Sequence, residues 1–118
     1  MGKYELTRGD GRTRVSLSAH HMGNDLVVLI YNNNAHIGAV AVGDYDHHEK
    51  RASTSVITRL GHKDDAIAQK AAYSISKSTK RSVCVIAGVH LDNITGEEVD
   101  KLLENASLMV EEFIESLP

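Results

Sequence analysis

The chain contains no tryptophan, one phenylalanine and four tyrosines, so aromatic side chains cannot build its interior. With 42% hydrophobic residues in 118, the core must be aliphatic, drawn from Val, Ile, Leu and Ala. That length suits one domain spanning residues 1–118, large enough to fold without metals or disulfides. Cysteine occurs once, at Cys84, which excludes an intramolecular disulfide. Cys84 lies within the apolar run Val83-Cys84-Val85-Ile86 and reads as a buried structural thiol, because reactive thiols need electropositive, accessible surroundings. Proline also occurs once, as Pro118, so no proline interrupts an element before it. No apolar run approaches the ~18 residues needed to cross a bilayer, and the N-terminus lacks the apolar stretch of a signal peptide. A soluble cytoplasmic protein without a membrane partner is expected.

Several chemical signatures are missing as well. There is no G-x-S-x-G elbow, no G-x-G-x-x-G turn, no P-loop lysine, and no HxH, HExxH or CxxC spacing. The net charge of -3 is unevenly placed. From Asp92 onward there are eight acidic residues and one basic, whereas the preceding part has twelve basic and eight acidic. Lys3, Arg8, Arg12 and Arg14 crowd the start without interleaved aromatics or a basic helix, which argues against nucleic-acid binding. These basic side chains are expected to decorate solvated strand faces.

What is present is a change of periodicity part-way along. Residues 4–7 and 14–20 alternate apolar with polar, the period-two mark of half-buried strands, and Gly9-Asp10-Gly11 and Gly23-Asn24-Asp25 supply turns. Residues 26–31 form a short branched apolar run, a central strand, followed by the Asn32-Asn33-Asn34 turn. A fourth strand is expected over 36–42, a polar excursion over 43–49, and a fifth strand over 51–60. Residues 64–80 are rich in Ala, free of Gly and Pro, and place Ile67, Ala71 and Ile75 on one helical face. Residues 82–89 return to a strand. Thr95 and Glu98 have capping-box spacing. Behind them Val99, Leu102, Leu103, Ala106, Met109, Val110, Phe113, Ile114 and Leu117 make one apolar stripe. The order β-β-β-β-β-α-β-α gives an α+β fold, a mainly antiparallel sheet of about six strands with two helices on one face.

Three polar segments carry histidine where strands begin or end: His36-Ile37-Gly38, Gly61-His62-Lys63-Asp64-Asp65, and Gly88-Val89-His90-Leu91-Asp92-Asn93. Short early connections imply an antiparallel meander, which puts the start of the fourth strand and the end of the fifth on one edge. A helical crossover to a sixth strand parallel to the fifth would bring His90 to the same edge. Both helices also begin there, and helix N-termini present unpaired N–H groups suited to an anion. The candidate ligand or partner edge is therefore His36, Gly38, His62, Lys63, Asp64, His90, Asp92, Asn93 and Thr95. Each segment has a plainer reading as surface residue, helix start or loop and cap. The pairs His20-His21 and His47-His48 read as solvated loop histidines. A second reading makes His36, His62 and His90 metal ligands of a small metal protein or enzyme.

The segments His36-Ile37-Gly38-Ala39-Val40, Gly61 through Asp65, and Ala87-Gly88-Val89-His90-Leu91-Asp92-Asn93-Ile94-Thr95 resemble, in order and spacing, the LpdD-like family. Its members are small accessory subunits of gallate-type decarboxylases, described as prenylated-flavin chaperones, with a domain considered similar to proteasome assembly chaperones. The resemblance implies a non-catalytic helper for a prenylated-FMN-dependent (UbiD-type) decarboxylase, handling cofactor or apoenzyme. It implies no covalent cofactor, transient contact with prenylated FMN at most, and no catalytic residue. Separately, residues 26–31, 37–42 and 83–89 are apolar on both faces while two helices cover one, so a homodimer or partner chain is expected on the other.

Overall fold

The alternating segments pair into one sheet, and the two helical segments pack on it. The computed structural model describes residues 3–59 and 64–118. In chain order the elements are β1 (Lys3–Arg8), a 3-10 turn (Gly11–Thr13), β2 (Val15–Met22), β3 (Asp25–Tyr31), β4 (Ala39–Asp46), β5 (Arg51–Thr58), α1 (Asp65–Thr79), β6 (Val83–Gly88) and α2 (Gly96–Ser116). The six strands lie in the order β1-β2-β3-β6-β4-β5. β3 and β6 are parallel and the other neighbours antiparallel. This is the expected α+β architecture.

The register separates the two faces of the sheet. One transverse row runs Tyr4, Ala19, Val28, Val85, Ala41 and Val56; the middle four are core residues, and Tyr4 and Val56 at its ends are half-buried against them. α1 lies on the β4, β5 and β6 side of that face, α2 on the β1 and β2 side. From α1, Ile67, Ala68, Ala71, Ala72 and Ile75 are buried; from α2, Leu102, Ala106, Met109, Val110 and Phe113. The single phenylalanine is fully buried and meets Tyr4 edge-on, ring centres 5.3 Å apart. The rest of the core is aliphatic, as the composition requires.

Several expectations need correction. The first five strands do not form one meander, because β6 sits between β3 and β4. β6 is apolar on both faces and takes a central place, where both of its edges find partners. β5 and β6 nevertheless run the same way, since each is antiparallel to β4. β4 begins at Ala39, not at residue 36, and continues through Gly43 to Asp46, so much of the expected polar excursion is strand. Its polar positions, Asp44 and Asp46, face solvent, while pairing with β5 extends to Asp46 opposite Arg51. The exposed turn that remains is held by the Asp46 carboxylate, which accepts from His48 N at 2.9 Å and Glu49 N at 3.0 Å. His20 and His21 lie within β2, not in a loop, and His21 Nε2 is 3.3 Å from the Tyr4 hydroxyl. On α2 the stripe is wider than the contact: Val99 and Leu103 are 38% and 40% exposed. Cys84 is half-buried, on the face without helices.

Candidate functional site at one end of the sheet

The topology brings the ends of β3, β5 and β6, the start of β4, and the N-termini of both helices to one end of the sheet. The chain from β3 to β4, residues 32–38, must pass the end of β6 to reach its place. Two inter-strand spacings are about 10 Å, well within reach of seven residues. The passage is close, and a Cβ on Gly88 would fall on the His36 carbonyl. Gly38 continues the contact, donating from N to Ala87 O at 3.0 Å.

Asp64 organises the centre of this end. It precedes α1 and is 3% exposed, yet its side chain makes no capping bond to the helix. One carboxylate oxygen instead accepts from Val89 N at 3.0 Å, and the other lies 3.3 Å from His36 Nε2. A Cβ at Gly38 would collide with that second oxygen. Gly38 thus contributes space: it lets a buried carboxylate join the 32–38 connection, the end of β6 and the start of α1. His36 is also fixed from its other side, with Nδ1 3.0 Å from Asn34 O.

A second tie joins the β3 turn to the loop after β6. Buried Asn32 donates from Nδ2 to His90 O at 3.0 Å, and its Oδ1 accepts from His90 N at 3.2 Å and Asn34 N at 3.1 Å. Asn34 Nδ2 donates to the same His90 carbonyl at 3.0 Å. The His90 ring points outward and meets Asp92 Oδ1 at 3.0 Å. Asn93 serves the following turn, with φ at +54°, a left-handed conformation that Asn tolerates. Thr95 then caps α2 as the spacing predicts: its hydroxyl accepts from Glu98 N and its N–H donates to Glu98 Oε1, each at 3.1 Å.

Arg12, expected merely to decorate a surface, is anchored here. Its Nε donates to Glu98 Oε2 at 2.7 Å and its Nη2 to Asp92 O at 2.7 Å. The Arg12 hydrogen bond, with the Thr95 amide behind it, holds the Glu98 carboxyl down to about 2. The same pair raises the Arg12 guanidinium above its ordinary value.

Of the candidate edge, His36, Gly38, Asp64, His90, Asp92, Asn93 and Thr95 lie at this end, while His62 and Lys63 fall outside the described residues. His36 and His90 are tied to different carboxylates. Among the described residues, no three His, Cys, Asp or Glu side chains are grouped so as to hold a metal ion. Sequence reasoning missed Asn32, Asn34 and Arg12. The Asn32-Asn33-Asn34 run was the available signal for the first two.

The profile of the prenylated flavin chaperone LpdD-like domain matches residues 9–118. The chain belongs to that family. No curated protein matches the sequence. Among solved structures, the fold resembles a chain in the crystal structure of a chaperone complex for yeast 20S proteasome assembly. The TM-score is 0.62 at 13% identity, over 97% of this chain and 92% of that one. At such identity the likeness carries the architecture alone. The LpdD-like match includes both ties just described, the Asp64 junction and the Asn32 clasp, and every element from β2 onward.

Proposed function

We propose that this LpdD-like protein is a non-catalytic accessory chaperone for a prenylated-FMN-dependent (UbiD-type) decarboxylase, assisting loading of the cofactor or assembly of the apoenzyme. The family match over residues 9–118 carries the reading. The candidate site is consistent with a binding role. Its histidines and carboxylates hold loops together: Asp64 joins His36 to Val89 N–H, and Asp92 meets His90. Among the described residues no helix is long and apolar enough to cross a membrane. A cytoplasmic setting is part of the proposal, as a helper must meet the nascent enzyme where it folds.

The helix-free face of the sheet supports a protein partner. Along one row it presents Leu29, Ile86, Val40 and Ile57, and along the next Val27, Cys84 and Val42. Val42 and Ile57 are 41% and 73% exposed. The patch fades on β1 and β2 into Glu5, Ser18, Lys3 and His20, a polar rim. A contiguous, partly exposed apolar band bordered on one side by polar residues is what an interface presents. A second copy is the proposed occupant, its sheet packed face to face through a two-fold axis.

Co-expression tests the function. A UbiD-type decarboxylase produced with a prenylated-FMN supply, with and without this protein, should carry more bound flavin when the protein is present. Absorbance of the purified decarboxylase reads the loading. Equal flavin content and equal yield of folded enzyme in both cases would refute the proposal.

A further inference from the structure

Beside the Asn32 clasp lies a polar cleft of about 740 Å³, bounded by the 3-10 turn, the start of β2, the turn after β3 and Leu91. Its size falls in the range of small-molecule sites. Arg12 and Arg14 both line it, with Ser16 and Asn33. Among the described residues, the Arg14 guanidinium, the Ser16 hydroxyl and the Asn33 amide have no hydrogen-bonding or ionic partner in the protein. The nearby carboxylates are engaged elsewhere, Glu98 with Arg12 and Thr95, Asp92 with His90. Arg12 is held by two acceptors on α2 and its preceding loop, so one cationic wall is fixed in advance.

We infer that this cleft binds the phosphate of a phosphomonoester, with Arg14 as the principal charged contact and Ser16 and Asn33 as neutral donors. A guanidinium presents paired N–H groups that match two phosphate oxygens, and hydroxyl and amide donors complete the shell. The lining suits the anionic end of a flavin mononucleotide and not its ring system, because among the described residues Leu91 is the one apolar side chain in it. The inference rests on the proposed chaperone role for the molecule that carries the phosphate, and on the cleft alone for the anion.

Calorimetric titration of the full chain with inorganic phosphate, FMN and riboflavin tests it, using wild type, Arg14→Ala, Arg14→Lys and, at the start of β5, Arg51→Ala. Phosphate and FMN should bind and compete, and riboflavin should not. Arg14→Ala should weaken both by about tenfold at an unchanged melting temperature, with Arg14→Lys between the two. Arg51→Ala should match wild type. Wild type that binds neither anion, or Arg14→Ala that binds both as wild type does, overturns the inference. Riboflavin binding as tightly as FMN overturns it too, since recognition would then go through the ring. Phosphate binding in a protein that leaves decarboxylase loading unchanged would sustain the cleft and remove the chaperone role. Loading that depends on the protein while Arg14→Ala binds phosphate normally would do the reverse.

Discussion

Asp64 and Asp65 are adjacent acids at the start of one helix, and by sequence they are equivalent, both favourably placed against the helix dipole. The structure separates them. Asp65 is exposed in the first turn of α1, so Asp65→Ala removes a dipole interaction of about 0.3–1 kcal/mol. Alanine's helix propensity returns up to about 0.7 kcal/mol of that. Asp64→Ala strips the acceptor from Val89 N–H in a partly buried setting, a penalty of about 1–3 kcal/mol. It also leaves His36 without its carboxylate; that ring is 23% exposed, so solvent offsets part of this loss. Together we expect roughly 2–3 kcal/mol, or a melting temperature lower by roughly 8–12 °C for a chain of this size. Asp65→Ala should move it by less than about 3 °C. Asp64→Asn, which keeps an acceptor for Val89, should fall between. Thermal melts followed by circular dichroism give the ranking, and amide exchange at Val89 gives the mechanism, since its protection should drop in Asp64→Ala alone. Equal, small shifts for the two alanine variants would refute the junction.

Asn32→Ala should cost about 2–3 kcal/mol in urea unfolding, because His90 N–H and Asn34 N–H lose their acceptor at once and His90 O keeps only its bond from Asn34; a cost below about 0.5 kcal/mol would remove the clasp. The Glu98 carboxyl is held down to about 2 from an ordinary 4.5, so its contribution is present above pH 4.5 and is lost as pH falls through about 2. Glu98→Gln should therefore flatten the acid limb of a melting-temperature profile between those values, and an unchanged limb would contradict the Arg12 pairing. Wild type should sediment as a dimer at micromolar concentration and Val42→Lys with Ile57→Lys as a folded monomer; a wild-type monomer would refute self-association through the open face.

Much of the fold was legible because local and tertiary signals agree. α2 has a capping box at one end and an apolar stripe behind it, and both reports come from residues within a few turns of one another. The error at β4 has the opposite origin. Gly43, Asp44 and Asp46 carry no local strand signal, but pairing with β5 and an open outer face let polar residues continue the strand. The place of β6 between β3 and β4 was hidden for a similar reason. Short connections usually join neighbours, yet residues 32–38 are long enough to pass one strand, and only Gly88 removes the side chain that would block them.

The site shows where such reading stops. That His36, Asp64 and His90 would share one end followed from strand direction, which sequence supports. Which acid of the pair turns inward did not, because the choice is made by space at Gly38, twenty-six positions earlier. A missing Cβ leaves no periodic trace; it becomes meaningful only when another element arrives beside it. Arg12 and Arg14 pose the same problem. Two positions apart and alike in sequence, they differ because α2 supplies Glu98 and its preceding loop the Asp92 carbonyl to the first, and nothing to the second. The first closes a wall of the cleft and the second keeps its charge available to a ligand. Exchanging their roles is therefore informative: Glu98→Gln should loosen Arg12 and release its charge into the cleft, strengthening phosphate binding, whereas Arg14→Ala should weaken it without loosening the wall.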